Sequence, residues 1–315
     1  MLLNLTLAIA KDLYKLCMIA GLNYNETKKV FEKENPDLVL IHGDTTTAGI
    51  SALSAFYSRI KIGHVEAGLR TFDKDYPFPE EINRVIADSV SDLMFCPTNR
   101  AVENIKKSGI TKGIHKTGNT VIDALLYVIK NKKADLDFIN LNPNLKTILL
   151  TSHRRENFGK PLENICLAIK ALVEKNKDIQ VVYPLHLNPN VRNTVKPILE
   201  GLERVKLIEP LDYVPFCNLM KKSHIILTDS GGVQEEAPAL GVPVLVLRDE
   251  TERPEALEYG GVKLVGCNYE KIISTTQGLL DNKESYEKMS KAINPYGDGH
   301  ACEYIEKIIL KYFDK

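Results

Sequence analysis

The run Ile225-Ile226-Leu227-Thr228-Asp229-Ser230-Gly231-Gly232-Val233-Gln234-Glu235-Glu236 has the residue order of a phosphate-holding turn. An apolar strand ends at Thr228. A hydroxyl and two glycines follow, and then a helix begins with two carboxylates in its first turns. Free backbone N–H groups at a helix start, with the helix dipole behind them, favour an anion. Glycine lets backbone approach the ligand closely. A carboxylate about a turn further on could grip a sugar diol, so the piece suits a sugar nucleotide held by its diphosphate and ribose. The competing reading is an ordinary strand–turn–helix junction with Ser230 or Asp229 as N-cap.

Three further segments place acids where strands should end. His42-Gly43-Asp44-Thr45-Thr46-Thr47 closes one apolar run; Asp44 either faces the ligand or caps the next helix. Gly63-His64-Val65-Glu66-Ala67-Gly68-Leu69-Arg70-Thr71 closes the next. A carboxylate such as Glu66 is costly to bury there without a task, unless Arg70 pairs with it. Tyr76-Pro77-Phe78-Pro79-Glu80-Glu81-Ile82-Asn83-Arg84 is a rigid loop entering a helix. Glu80 and Arg84 are spaced to pair on one helix face. Asp44, Glu66 and Glu80 together suit acid–base chemistry, because neighbouring carboxylates can be pushed to different pKa values.

Cationic groups cluster in the second half. Thr151-Ser152-His153-Arg154-Arg155-Glu156-Asn157 closes a strand with a His-Arg-Arg run, and arginine is the bidentate phosphate donor. The alternative is a basic surface loop. His186, after Tyr183-Pro184-Leu185, is as well explained by structure as by function. Arg248-Asp249-Glu250-Thr251-Glu252-Arg253-Pro254-Glu255 is a charged loop after another strand. Asn294-Pro295-Tyr296-Gly297-Asp298-Gly299 is a turn with Asp298 near the cap of the last helix.

The elements that must position these groups alternate. The expected strands are Leu38–His42, Lys61–Val65, Asp92–Pro97, Ile114–Thr117, Thr147–Thr151, Ile179–Tyr183, Val205–Ile208, Ile225–Thr228, Val242–Leu247 and Val262–Val265, with helical patterns between most of them. Such alternation predicts βαβ units and parallel sheets covered on both faces. The fold class is therefore α/β: two doubly wound Rossmann-like domains facing across a cleft, residues 1–130 and 145–292. The polar stretch Asn131–Asn144 is the expected boundary. Ligands of open α/β sheets bind beyond the carboxyl ends of strands, where most of the candidate residues fall. The second half supplies more strands than the first, which opens on a helical pattern (Leu13, Leu16, Cys17, Ile19), so the N-terminal domain reads as incomplete.

Bulk properties bound the function. The chain has 315 residues, 44% hydrophobic and 26% charged, with 41 basic and 41 acidic residues. A net charge of zero does not call for nucleic acid, whose binding rests on clustered positive charge. Six cysteines without a C-x-x-C pair argue against a zinc site or a disulfide framework and fit a reducing cytoplasm. No stretch approaches the roughly 18 apolar residues of a membrane span.

Taken together, these motifs resemble the non-hydrolysing UDP-N-acetylglucosamine 2-epimerases. The matching pieces are HGDTTT (His42–Thr47), GHVEAGLRT (Gly63–Thr71), PEEINR (Pro79–Arg84), GNTVIDAL (Gly118–Leu125), HRREN (His153–Asn157), YPLHLNPNVR (Tyr183–Arg192), LTDSGGVQEEAP (Leu227–Pro238), DETERPEA (Asp249–Ala256) and NPYGDG (Asn294–Gly299). They occur in family order over nearly the whole chain. The resemblance implies the glycosyltransferase-B architecture, with the last helix (300–315) packing back on the first domain. It implies reversible conversion of UDP-GlcNAc to UDP-ManNAc by elimination of UDP to 2-acetamidoglucal and re-addition, without nicotinamide or metal. Asp44, Glu66 and Glu80 match the family's acid–base carboxylates, and His153 its catalytic-site histidine. Ser230, Gly231 and Gly232 match the diphosphate turn, Glu236 the ribose carboxylate, Phe216 an aromatic near the uracil and Arg253 a substrate-contacting arginine. In bacterial members a second UDP-GlcNAc acts as activator, beside residues matched by Glu80 and Arg154. A homodimer and a role in surface polysaccharide synthesis are further implications.

The start departs from the pattern. A doubly wound domain opens on a strand whose loop faces the ligand, and family members carry such a strand, a Gly-Thr-Arg-Pro-Glu loop and about fifty residues ahead of where this chain begins. The expectation is a shortened chain. Alternatives are a related UDP-sugar enzyme (a hydrolysing 2-epimerase, a UDP-diacetamido-sugar epimerase or a glycosyltransferase) and a UDP-binding chain without turnover.

Overall fold

A computed structural model describes residues 20–251 and 253–314. The amphipathic pattern over residues 2–19 lies outside them. In chain order the elements are α1 (residues 20–34), β1 (Leu38–His42), α2 (Thr46–Tyr57), β2 (Lys61–Val65), α3 (Glu80–Val90), β3 (Leu93–Cys96), α4 (Asn99–Lys107) and β4 (Ile114–Lys116). Next come α5 (Thr120–Asn131), β5 (Lys146–Thr151), α6 (Lys160–Lys175), β6 (Ile179–Pro184), α7 (Pro189–Leu199), β7 (Val205–Ile208), α8 (Tyr213–Lys222) and β8 (Ile225–Thr228). The chain closes with α9 (Gly231–Ala239), β9 (Val244–Val246), α10 (Pro254–Glu258), β10 (Val262–Leu264), α11 (Tyr269–Asp281), α12 (Lys283–Ser290) and α13 (Ala301–Phe313). All ten expected strands form. β9 starts after Pro243, which has no N–H to give to a ladder.

The chain divides into two α/β units. One runs to Thr120 and takes back the segment from His300; the other is Val121–Gly299. The division falls earlier than the expected Asn131–Asn144. Ile122, Leu125 and Val128 of α5, with Leu136 and Ile139 of the polar-looking stretch, are buried in a core of the second unit. Widely spaced apolar residues among lysines and aspartates hid that packing.

In the first unit the parallel sheet has the order β1-β2-β3-β4 among the described residues. Alternate residues of β3 serve its two faces. Met94 and Cys96 pack with Ala101 and Ile105 of α4, and Leu93 and Phe95 with Ile305 of α13. Alanines at 48, 52 and 55 let α2 lie close to α3, which offers Ala87.

In the second unit the sheet reads β7-β6-β5-β8-β9-β10, all parallel. Chain order runs outward from β5 on one side and from β8 on the other, so the switch point lies between these two strands, where a doubly wound sheet opens a crevice for a ligand. The two sheet faces bury alternate residues of each strand. Ile148, Leu150, Ile225 and Leu227 join one core, and Leu149, Val182 and Ile226 the other.

Ile305 joins α13 to the first sheet and is almost fully buried. Ile305→Ala should therefore lower folding stability by about 2–5 kcal/mol, read by urea denaturation. An unchanged midpoint would show that α13 contributes no packing energy.

Candidate active site

Beyond the carboxyl ends of β5, β6, β7 and β8 lies a cavity of about 240 Å³, lined by Thr151, Ser152, His153, Pro184, His186, Pro210, Leu211, Phe216, Ser230 and Val233. Three residues marked from sequence, His153, Phe216 and Ser230, thus share one wall. Ser230 occupies the N-cap of α9, yet its hydroxyl makes no capping bond. The first N–H groups of α9, including those of Gly231 and Gly232, lack partners within the helix, and the dipole adds partial positive charge. That is an anion cradle with a spare hydroxyl.

Asp229 is fully buried and does not cap α9. Its Oδ2 accepts hydrogen bonds from Ser152 Oγ, His153 N, Arg154 N and Asn157 Nδ2. The loop after β5 is thereby fastened to the end of β8. His153 Nδ1 lies 3.4 Å from Asp229 Oδ1, too poorly aligned for a hydrogen bond, and its ring stacks on His186 at 5.5 Å between centroids. Arg154 leads into a short helical turn at Arg155–Asn157.

Glu236 is buried, with Oε1 accepting from Tyr213 Oη at 2.7 Å. Burial raises its pKa above the ordinary carboxylate value, and the Tyr213 bond only partly opposes this. Oε2 is turned toward Gly232. Arg253 donates from Nε to Glu235 Oε1 at 2.7 Å. Its guanidinium rests so closely on Gly231 that a Cβ there would meet it at 3.0–3.2 Å. The Ser-Gly-Gly turn, the two glutamates and Arg253 are therefore one assembly.

The first unit carries the other acids. Thr45, not Asp44, caps α2, with Oγ1 accepting from Ala48 N. Asp44 Oδ2 instead receives Arg84 Nε at 2.9 Å and Nη2 at 2.6 Å. Glu66 adopts φ +65°, a left-handed backbone that favours glycine, directly after β2. Its Oε2 lies 3.3 Å from His42 Nε2, and this contact raises the His42 pKa against burial. Glu66 does not pair with Arg70, whose Nη2 reaches Asp88 Oδ2 at 2.5 Å. Nor does Arg84 pair with Glu80. Its i,i+3 partner is Glu81, a buried carboxylate that also accepts from Thr71 N and Phe72 N. Glu80, in the first turn of α3, has no ion pair among the described residues. The N-cap of α13 is His300, two residues after Asp298, as the turn ahead of the last helix suggested.

A family model described as UDP-N-acetylglucosamine 2-epimerase matches residues 3–310. The chain belongs to the UDP-N-acetylglucosamine 2-epimerase family. A Thermotoga maritima protein named as a putative UDP-N-acetylglucosamine 2-epimerase is 55% identical over 281 residues, 88% of this chain and 74% of the relative. The crystal structure of a putative UDP-N-acetylglucosamine 2-epimerase from Listeria monocytogenes has TM-score 0.91 and 49% identity, covering 95% of this chain and 80% of that one. UDP-GlcNAc 2-epimerase from Neisseria meningitidis, solved bound to UDP-GlcNAc, has TM-score 0.85 and 46% identity, covering 94% and 82%.

In this epimerase-family chain, sequence reasoning missed Asp88, His64, Glu81, Tyr213 and the anchoring role of Asp229. Each has a hydrogen-bond partner outside its own secondary-structure element. Among the described residues no helix is long and apolar enough to cross a membrane, and no cluster of His, Cys, Asp and Glu could hold a metal ion.

The raised Glu236 pKa has a consequence for stability. On raising pH the unfolded chain loses this proton first, so stability falls between the ordinary carboxylate value and the raised one. Glu236→Gln cannot ionise. It should melt higher than the parent at pH 8, with the gap closing near pH 4, as read by calorimetry. A gap independent of pH would contradict the assignment.

Proposed function

We propose that the protein interconverts UDP-GlcNAc and UDP-ManNAc at C2 and keeps the nucleotide sugar intact. The observation that carries this reading is how the first unit divides its carboxylates. Asp88 and Glu81 are buried and absorbed by arginines and backbone N–H groups. Glu66 lies 3.3 Å from His42, a group able to relay a proton, and Glu80 stands partly exposed in the first turn of α3, so these two are assigned to proton chemistry. The similarity to a relative solved with UDP-GlcNAc supports the choice of substrate.

In the forward step a carboxylate takes the C2 proton. The C2–H electron pair forms the C1=C2 bond, and the C1–O bond breaks with its electrons on the departing UDP. The product is 2-acetamidoglucal. In the return step a UDP oxygen adds to C1 and a proton reaches C2 from the opposite face. The N-terminus of α9, Ser230 and Arg253 carry the diphosphate charge that grows as UDP leaves. Phe216 supplies an apolar wall for the base, and Glu236 Oε2 an acceptor for the ribose diol. Two N–H groups from Arg84 pin Asp44, so its part is orientation and charge, and Glu66 and Glu80 are assigned as the proton carriers.

Incubation with UDP-GlcNAc in D₂O should place deuterium at C2 of both nucleotide sugars. Release of free sugar in step with UDP would instead show hydrolysis. Glu66→Gln and Glu80→Gln should each slow exchange about 10²–10⁴-fold, while calorimetric UDP binding stays at the parent value. Loss of UDP binding in these variants would remove the assignment.

A further inference from the structure

His64 is fully buried in β2, and both of its ring nitrogens face oxygen. Nε2 lies 2.9 Å from Gly43 O, and Nδ1 lies 2.5 Å from Asp88 Oδ1. A carbonyl oxygen only accepts, so Nε2 must donate. Asp88 is buried as well, which opposes ionisation. The His64 hydrogen bond and Arg70 outweigh that and hold the carboxyl below its ordinary range, and independently of His64 the buried Arg70 guanidinium on Oδ2 keeps Asp88 a carboxylate. An ionised carboxylate also only accepts, so Nδ1 must donate too.

We infer that His64 stands as a buried, doubly protonated imidazolium, and that it is a positioning residue which sets the place and the charge of the Asp44 and Glu66 carboxylates. The inference rests on the proposed function, in which Glu66 carries a proton and Asp44 supplies orientation and charge. With Arg70 and Asp88, His64 leaves one unit of positive charge inside the first unit. The connection to the acids runs through Gly43. Its C=O receives His64, its N–H is donated to Val65 O, and a Cβ on it would meet Glu66 Oε2 at 3.4 Å. Asp44 follows Gly43 directly, and Glu66 follows Val65. One imidazolium therefore ties both acid-bearing turns together.

The other charged or titratable groups are distributed on every side. His42 contacts Glu66, and Arg84 holds Asp44 from α3 beside Glu81. Cys96 of β3 feels Asp88 and Arg70, and burial pushes its thiol up to about 12, so it stays neutral. Besides Arg70, Asp88 Oδ2 also accepts from Gly68 N at 3.3 Å. Among the described residues Asp88 is the one carboxylate paired with both His64 and Arg70.

The first test needs no activity. In the full chain labelled with ¹⁵N-histidine, long-range proton–nitrogen correlation at pH 7 should show both ring nitrogens of His64 protonated. One bare nitrogen would overturn the inference. His64→Gln assigns the signal; should that variant not fold, assignment of the six other histidines leaves His64 by elimination.

The second test reads function. Where His42 and His115 of the first unit keep their signals in His64→Gln, C2 exchange should show a lower kcat at little-changed KM. The acid limb of its kcat–pH profile should move to higher pH, because Glu66 has lost a buried cation. An unmoved limb would overturn the charge-setting role. If the parent protein shows no exchange at all, the epimerase reading fails, and the protonation of His64 is decided by the spectrum alone.

Discussion

Asp229 Oδ2 accepts from Ser152 Oγ, His153 N, Arg154 N and Asn157 Nδ2, all at 2.9–3.0 Å, at the point where the second sheet reverses its strand order. Withdrawing a carboxylate from water costs several kcal/mol unless its lone pairs are met. Here the donors come from the loop after β5, so that loop keeps its shape only while the carboxylate is satisfied. The position of His153 on the cavity wall follows from this anchor. Asn157 extends the same constraint to Leu247 O, beyond β9. The open crevice between β5 and β8 is thus braced from below by the buried Asp229 side chain, while its rim carries the N–H groups at the start of α9.

The first unit solves the same problem with Asp88. One oxygen meets His64, and the other meets Arg70 and Gly68 N. Asp88 is one of several residues of α3 that reach out to loops. Glu81 holds the backbone at Thr71 and Phe72, Asn83 holds Asp44 O, and Arg84 holds the Asp44 carboxylate. A single helix therefore sets the turns after β1 and β2 relative to each other. Removing Asp88 leaves the fully buried His64 unmet, which costs more than the bond itself contributes.

The strands and the Ser-Gly-Gly turn were legible because they are written locally, in β-branched runs and in glycines after a hydroxyl. The anchors were not. Asp229 meets Ser152 across 77 residues, and Asp88 meets His64 across 24. Pairing Arg70 with Glu66 looked natural at a separation of four, but helical spacing has no meaning in the turn after β2, where Glu66 itself has a left-handed backbone. The unit boundary was misplaced for a related reason. Leu136 and Ile139 lie in a stretch whose lysines and aspartates dominate its composition, while its few apolar residues decide where it packs.

Two adjacent glutamate pairs, Glu80–Glu81 and Glu235–Glu236, show how one short sequence can give neighbouring side chains different surroundings. Neighbours on a helix are separated by about 100° around its axis, so their side chains leave in different directions. Glu81 turns to Thr71, Phe72 and Arg84, whereas Glu80 has no ion pair among the described residues. Glu235 binds Arg253, whereas Glu236 keeps Oε2 toward Gly232. In each pair the frame residue is also what orients the site: Glu81 shares Arg84 with Asp44, and Glu235 holds the Arg253 that lies over Gly231. The pitch of the helix therefore sends chemically identical neighbours to different surroundings, one into the frame and the other away from it.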